Sequence, residues 1–429
     1  MSENSKTIII GLDGVPFDML RGFANDGTMP NTAKLIAGGT FKKMRSSIPD
    51  ISSVAWSSII TGVNPARHGI FGFIDLLPDS YKMCFPNFSN IKADPFWART
   101  ESKSVIINVP STYPVKPMNG VHISGFVSID FTKSVYPPSI IDTLRSLDYR
   151  LDVDAMKARK SMDLFLDDVD KTLDARIEGY RYLWETQDFE TFMLIFTGTD
   201  RLMHFLWSAY EDTNHQYHEN FVDHFRKIDK AIGEILDKVD GSDNVIMLSD
   251  HGFERLDHEV YINYLLEQNG FLEFKQDSDP GLDNICAGTK AFSMDPARIY
   301  VNLKDKYPCG SVDMNDREIV LKELELLFAE FEIGGKKVVK HIYRKEDVYA
   351  GPCFDDAPDL ILISEKGFNF KGSMASRELS SKGLFTGKHT YEDAFILVSN
   401  PSAAESLGDD PSVIEAGKLI TKLVTADGV

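Results

Sequence analysis

Short apolar segments rich in β-branched residues alternate along this chain with longer amphipathic segments, and this alternation limits the fold more than any other feature. Segments such as Thr7–Leu12 and Asn244–Ser249 have the length and composition of buried strands, and those at 161–184 and 220–239 have helical length. Strands joined by helices indicate parallel strands with crossover connections. We therefore predict an α/β fold built on a doubly wound, mostly parallel sheet. The other predicted strands are Ser104–Val109, Phe192–Thr197, Ile299–Leu303, Leu360–Ile363 and Ala394–Val398, and a helix is predicted at Val260–Asn269.

Charge and composition limit the partners. Of the 429 residues, 43% are hydrophobic and 26% charged, which is typical of a folded globular protein, and the formal net charge is −19. A chain that binds nucleic-acid polymers or anionic membranes normally carries excess Lys and Arg, so neither is an expected partner. A small anionic ligand remains compatible, since bound metal cations can supply the positive charge.

The amino-terminal residues and the cysteines indicate the cellular compartment in which the protein is expected. Residues 1–6 are polar and lead directly into the strand at Thr7, an apolar run too short for a signal peptide, and the sequence has no apolar stretch of membrane-spanning length. Its four cysteines include no CxxC pair. We expect a cytoplasmic protein without a disulfide scaffold.

One part of the chain is less regular than the rest. Between residues 254 and 386, turn-rich pieces such as Asp277–Gly281 and Pro308–Gly310 separate the strands. We interpret 254–386 as an insertion or cap that contributes to the substrate pocket, and 1–253 with 387–429 as the core.

Acidic residues follow three of the predicted strands. Asp13 comes directly after the first strand, Asp200 follows Phe192–Thr197 within a few residues, and Asp250 with His251 follows Asn244–Ser249. In a doubly wound sheet, functional groups collect at the carboxyl ends of the strands. These side chains are therefore candidates for one site.

Histidines complete the candidate set. His204 lies four residues after Asp200, so the two side chains share a helix face and can bind one cation, and His389 precedes the last predicted strand. Three carboxylates and three imidazoles fit a hydrolytic site for two metal ions better than a site for one. Zinc suits such ligands, and manganese or iron is compatible.

A nucleophile is available near the start of another predicted helix. Ser52 or Ser53 lies at the amino terminus of the helix that leads to Thr61-Gly62. Free backbone N–H groups and the helix dipole favour a developing alkoxide and an attached phosphoryl group there. Serine is also the usual helix cap, so a purely structural role is the alternative.

These motifs together resemble a known family. Ser52, Thr61-Gly62, the stretch 64–70 (Asn-Pro-Ala-Arg-His-Gly-Ile), Asp200…His204, Ser249–Gly252 and Gly387–His389 are similar to the signature of the type I phosphodiesterase/nucleotide pyrophosphatase family of the alkaline phosphatase superfamily. The closest branch is that of prokaryotic predicted phosphohydrolases or phosphomutases. The resemblance spans nearly the whole chain and implies a sheet of alkaline phosphatase type.

The resemblance also implies roles for individual residues. Counting back from Thr61-Gly62 places Ser52, rather than Ser53, at the position of the nucleophile. His68 belongs to the signature but not to the ligands, so we interpret it as structural. The implied ligands are Asp200, His204 and His389 for one metal ion, and Asp13, Asp250 and His251 with the Ser52 oxygen for the other.

One position departs from the pattern of the nucleotide pyrophosphatases. Their Asn after the His-Gly-Ile stretch helps to hold a phosphoryl oxygen, and Phe73 stands there in this chain. Ser53 or a backbone N–H at the helix start would have to replace that donor. The departure weakens the interpretation that the substrate is a nucleotide.

The resemblance implies a two-metal phosphohydrolase that cleaves a small-molecule phosphodiester or pyrophosphate through a covalent intermediate on serine. A phosphomutase or phosphomonoesterase on the same scaffold is the alternative, and a binding protein without turnover is a remote one. In the cofactor-independent phosphoglycerate mutases the last ligand histidine lies close after the Asp-His pair, whereas His389 lies far beyond His251. This spacing disfavours a mutase. The residues after Ser52 do not match the Cys/Ser-x-Pro-x-Arg motif of sulfatases, which excludes that family.

Overall fold

A computed structural model describes residues 5–425 of the chain. Most of the polar segment used above to argue against a signal peptide, residues 1–4, and the last residues, 426–429, lie outside the described residues. The described chain divides into two compact units. The first unit comprises residues 5–63, 87–253 and 384–425, and the second comprises 64–86 and 254–383.

Helices and strands alternate through both units, with short 3₁₀ turns between them. The strands are β1 (Thr7–Leu12), β2 (Thr40–Met44), β3 (Asp75–Leu76), β4 (Met83–Cys84), β5 (Ser104–Val109), β6 (Gly120–Ser124), β7 (Val135–Tyr136), β8 (Thr191–Phe196), β9 (Asn244–Leu248), β10 (Gly252–Tyr261), β11 (Ala291–Met294), β12 (Arg298–Val301), β13 (Glu332–Ile333), β14 (Lys336–Lys337), β15 (Val339–Arg344), β16 (Leu360–Ser364), β17 (Gly367–Lys371), β18 (Ser380–Ser381), β19 (Gly387–Thr390) and β20 (Ala394–Val398). The helices are α1 (Phe17–Asp26), α2 (Pro30–Gly38), α3 (Ser52–Thr61), α4 (Pro65–His68), α5 (Ile141–Ser146), α6 (Met162–Thr186), α7 (Gly198–Glu211), α8 (His218–Leu236), α9 (Ile262–Gln268), α10 (Arg317–Ala329), α11 (Lys345–Val348), α12 (Pro401–Ala404) and α13 (Val413–Thr425).

The first unit is built on an eight-stranded sheet with the order β2-β20-β9-β1-β8-β5-β6-β7. The strands β9, β1, β8, β5 and β6 run parallel, and the outer pairs are antiparallel. This confirms the predicted α/β fold with a mostly parallel sheet.

Both faces of this sheet are covered. Ile8 and Ile10 of β1 pack into one hydrophobic cluster with residues of α6 and α8, whereas Ile9 packs into another with residues of α3 and α13. Successive strand residues point to opposite faces, so a strand buried on both faces has to be apolar throughout. This is why the continuous apolar runs were recognisable as central strands.

The predicted boundaries differ from the structure in a few places. β1, β5 and β20 begin and end where predicted. The helix predicted from Val260 begins only at Ile262, because β10 extends to Tyr261 and pairs with β17. Pairing with a strand more than a hundred residues later overrides the local pattern.

The second unit has its own sheets and core. An antiparallel sheet has the order β11-β12-β16-β15, a second sheet contains β17, β10 and β18, and β3–β4 and β13–β14 are hairpins. Within this unit the buried Arg298 donates a hydrogen bond to the Ile74 carbonyl and links 64–86 to the later residues. That 254–386 forms a cap contributing to the substrate pocket stays a prediction.

No helix within residues 5–425 combines the length and the apolar character needed to cross a membrane.

Candidate metal centre

Three carboxylates meet at the carboxyl edge of the parallel strands. Asp13 directly follows β1, Asp250 follows β9 by one residue, and Asp200 lies in the first turn of α7, which follows β8. Because β1 lies between β8 and β9, these positions are neighbours in space. All three side chains are no more than 2% exposed. Each carboxylate is therefore removed from water and needs compensating charge or donors.

The first group of side chains surrounds Asp200. His204 lies one turn further along α7, with its Nε2 atom 3.4 Å from Asp200 Oδ1. The Nε2 atom of His389, in β19, lies 3.0 Å from the same oxygen and 3.0 Å from His204 Nε2. The three predicted ligands of one metal ion thus converge on one point.

The second group lies next to it. His251 Nε2 is 3.3 Å from Asp250 Oδ2 and 3.7 Å from Asp13 Oδ1. The ring of His251 stacks on that of His389 with centroids 3.7 Å apart. One atom from each of Asp13, Asp250 and His251 lies within 4.8 Å of the others, and the same holds for Asp200, His251 and His389. All six predicted ligands form one continuous cluster.

Ser52 joins this cluster at the start of α3. Its Oγ atom is 3.1 Å from His251 Nε2 and 3.5 Å from Asp13 Oδ1. The Ser53 Oγ atom is also buried but has no hydrogen-bond partner. Between the two serines left open by the helix-start argument, only Ser52 has its hydroxyl against the predicted ligands.

The hydrogen bonds of the histidines decide which nitrogen faces the cluster. The Nδ1 atoms of His204, His251 and His389 lie 3.2, 3.0 and 3.0 Å from the backbone carbonyls of Gly387, Gly252 and Asp50. A carbonyl only accepts, so each Nδ1 carries a proton and each Nε2 is the nitrogen available to a metal ion.

This arrangement fits metal ions. Two Nε2 lone pairs 3.0 Å apart, on His204 and His389, repel each other unless a cation or a proton compensates. Asp250 Oδ2 is buried and receives no hydrogen bond. Neutral imidazoles, ionised carboxylates and an oriented second nitrogen are the donor set that zinc and similar ions prefer.

Neighbouring donors hold the outward oxygens of two carboxylates. The Gly14 amide donates to Asp250 Oδ1 at 3.0 Å, and Trp56 Nε1 donates to Asp13 Oδ2 at 3.2 Å. The Thr199 hydroxyl donates to the Asp13 carbonyl at 2.6 Å. Each of these two carboxylates is left with one oxygen directed into the cluster.

Burial and the neighbouring charges shift the pKa values of the carboxyl groups. Burial raises the pKa of Asp250 to about 7, and burial with the nearby Asp250 raises the pKa of Asp13. Burial also opposes ionisation of Asp200, but His204 and His389 hold its pKa below the ordinary value. Burial lowers the pKa of His204 to about 3. Without a bound metal ion, Asp13 and Asp250 therefore hold protons at higher pH than ordinary carboxyl groups, whereas Asp200 stays ionised.

A pH dependence of metal binding follows. Asp250 is protonated in the metal-free protein below about pH 7, and a ligand has to lose its proton to bind metal. Apparent affinity for Zn²⁺ should therefore rise as pH increases from about 6 to about 8, by up to roughly tenfold per pH unit for each proton displaced. Competition with a chromophoric chelator measures it. A constant affinity over this range would contradict the raised pKa.

The raised pKa of Asp250 also makes the folding stability of the metal-free protein depend on pH. A carboxyl group with a raised pKa in the folded state contributes stability that is complete below its unfolded pKa, about 3.9, and is lost as pH rises through its folded pKa. For Asp250 that loss extends to about pH 7. Bound metal ions offset it, so the increase in melting temperature on adding Zn²⁺ should be larger above pH 7 than below it.

Several surrounding residues were not found from the sequence. Trp56 lies one helical turn after Ser52, a spacing from which a contact on the same helix face could have been inferred. Arg201 follows Asp200 directly and was not singled out. Two residues that the sequence analysis did name, His68 and Phe73, belong to the second unit, and His68 is buried.

Comparisons with known proteins agree with the geometry. The family model described as type I phosphodiesterase/nucleotide pyrophosphatase matches residues 7–392. No curated protein sequence matches the chain.

Solved structures share the fold. Phosphonoacetate hydrolase from Sinorhizobium meliloti 1021, in complex with phosphonoformate, has a TM-score of 0.64 and 16% identity over 99% of this chain and 96% of its own. Human ectonucleotide pyrophosphatase/phosphodiesterase 5 has a TM-score of 0.56 and 12% identity over 98% and 95%. The murine protein, in an inactive form with AMP, has a TM-score of 0.54 and 12% identity over 98% and 95%.

Proposed function

Because this chain belongs to the type I phosphodiesterase/nucleotide pyrophosphatase family and is a phosphoric ester hydrolase of the alkaline phosphatase superfamily, we propose that it cleaves a small-molecule phosphodiester or pyrophosphate with two divalent metal ions. The observation that carries the proposal is the position of Ser52. Its hydroxyl oxygen lies 3.1 Å from His251 Nε2, beside the six side chains proposed as ligands.

The proposed ligand sets divide the cluster in two. Asp200, His204 and His389 hold one ion, and Asp13, Asp250 and His251, with the Ser52 oxygen, hold the other. Zinc is the first choice for these ligands, with manganese or iron compatible. When bound, the two ions would lower the pKa of the Ser52 hydroxyl and of a water molecule and neutralise charge on the phosphoryl oxygens.

Ser52 performs the first displacement. Its hydroxyl releases its proton to solvent, and the oxygen attacks phosphorus in line with the leaving group, forming a Ser52–phosphorus bond while the leaving oxygen departs with the bonding electrons. Water then attacks the same phosphorus and breaks that bond, which restores Ser52. Backbone N–H groups at the amino end of α3 that lack a helical partner would be available to donate to a phosphoryl group on Ser52.

The residues around the ligands keep this geometry fixed. The Trp56 indole and the Gly14 amide each hold one carboxylate oxygen, which would leave the other free to bind an ion. Backbone carbonyls fix all three imidazole tautomers. These contacts would orient the ligands before a phosphoryl group binds.

A comparison of two chromogenic substrates tests the proposed chemistry. We expect zinc-loaded protein to hydrolyse bis(p-nitrophenyl) phosphate at least about tenfold faster than p-nitrophenyl phosphate in kcat/KM, and a chelator to abolish both activities. Preference for the monoester would replace the phosphodiesterase proposal with a phosphatase. Absence of turnover on either substrate, with metal bound, would favour a phosphomutase.

Substrate identity is a second step of the same experiment. The structural relatives suggest phosphonoacetate and a nucleotide diester as further probes, to be assayed by release of phosphate and of nucleoside monophosphate. A cytoplasmic location, expected from the sequence, stays a prediction.

A further inference from the structure

Arg201 lies beside the metal centre and has no part in the proposed reaction. It follows Asp200 in the first turn of α7, and its Nη1 atom donates to Asp200 Oδ2 at 3.3 Å. The other carboxylate oxygen, Oδ1, is the one that lies 3.0 Å from His389 Nε2. Asp200 therefore has one oxygen among the imidazoles and the other against a guanidinium group.

Arg201 is itself held from two directions. Its Nε and Nη2 atoms donate to Asp152 at 3.3 and 2.9 Å, one to each carboxylate oxygen. Its guanidinium carbon lies 4.5 Å from the centroid of the Phe126 ring. A planar, forked group fixed by two parallel hydrogen bonds and by an aromatic face has little rotational freedom.

The charges of this arrangement suit a cation site. A lone guanidinium close to a divalent ion would repel the ion, but the Arg201–Asp152 pair is neutral as a unit. It supplies a donor to Asp200 without adding net positive charge. Without that donor, Asp200 Oδ2 would be left in a buried position with no partner, or would rotate towards the ion.

We propose that Arg201, oriented by Asp152, is a positioning residue that fixes Asp200 as a one-oxygen ligand of its metal ion. The inference rests on the proposed function, because it takes Asp200, His204 and His389 as the ligands of that ion. Outer partners of metal ligands set both the direction and the charge of the donor atom.

Metal titration of an Arg201→Met variant tests the inference. We expect Zn²⁺ binding at the Asp200 group to weaken by about 10- to 100-fold, while the second ion binds as in the wild type. In a His389→Ala background, where the first ion is already lost, Arg201→Met should have no further effect on the remaining ion. This result would show that Arg201→Met weakens the site formed by Asp200, His204 and His389.

A matched control uses the same kind of ion pair elsewhere. Arg181 in α6 donates through Nε and Nη2 to Glu234 at 2.9 and 2.7 Å, and neither residue contacts the cluster. Arg181→Met should leave both Zn²⁺ affinities unchanged. A loss of affinity in this control equal to that in Arg201→Met would overturn the inference.

Two milder variants avoid dependence on folding of Arg201→Met. Arg201→Lys keeps the charge but cannot form the two parallel hydrogen bonds to Asp152. Asp152→Asn keeps the shape but loses the charge that orients Arg201. Both variants should therefore weaken binding of the ion at the Asp200 group. Asp152→Asn added to Arg201→Met should cost nothing more if Asp152 acts only through Arg201. Wild-type affinity in all three single variants, or equal weakening of both ions, overturns the inference. Failure of the wild-type protein to bind Zn²⁺ overturns the proposed function and the inference with it.

Discussion

Turnover by the metal-loaded protein is expected to fall on the order of 10³-fold or more when Ser52 is replaced by alanine, because the group that attacks phosphorus is removed. Metal content should be retained, since the six imidazole and carboxylate ligands remain. Steady-state rates on bis(p-nitrophenyl) phosphate and metal analysis of the same preparation measure both effects.

Ser53→Ala is the matched control for this prediction. Ser53 is the next residue in α3 and equally buried, but its hydroxyl has no hydrogen-bond partner. We expect it to keep its metal ions and to lose far less turnover than Ser52→Ala, because a hydroxyl that only donates to a phosphoryl oxygen contributes less than the attacking group. A wild-type rate in Ser52→Ala would contradict the assignment of the nucleophile, and selective loss in Ser53→Ala would move the role to Ser53.

Replacing His389 with alanine should lower activity strongly by removing a ligand. His389 Nε2 lies 3.0 Å from both Asp200 Oδ1 and His204 Nε2, so its loss leaves the first group with two side chains. Stabilisation of transition-state charge by a metal ion is worth several kcal/mol, which corresponds to a decrease in turnover of about 10³-fold. Metal analysis should find one ion fewer per chain.

His215→Ala provides the comparison, since His215 lies outside the cluster and its ring is 5.9 Å from that of Tyr217, centroid to centroid. Its rate and metal content should match the wild type. If His389→Ala kept full activity and its full metal content, the first group would not be a metal site.

Much of the fold was predictable because the central strands are buried on both faces. Such strands are apolar throughout, and three of them begin and end where the sequence placed them. The proximity of Asp13, Asp200 and Asp250 was predictable for a related reason, since parallel strands bring the residues that follow them to one edge. The family resemblance is confirmed by the match over residues 7–392.

Other features depend on contacts between distant parts of the chain. Asp152 and Arg201 are separated by 49 positions, and neither belongs to a motif that would pair them. Residues 64–86 join the second unit through contacts such as that of Arg298 with Ile74, 224 positions apart, which composition does not reveal. The roles of the six ligands and of Ser52 stay predictions, although the structure brings all seven side chains together.

Anomalous diffraction at the zinc absorption edge, from crystals of the zinc-loaded protein, tests the two-metal account most directly. We expect two peaks, about 3.5–4 Å apart as in other two-metal sites. One should lie among Asp200, His204 and His389, and the other among Asp13, Asp250 and His251 beside the Ser52 oxygen. A single peak, or peaks away from these side chains, would contradict it.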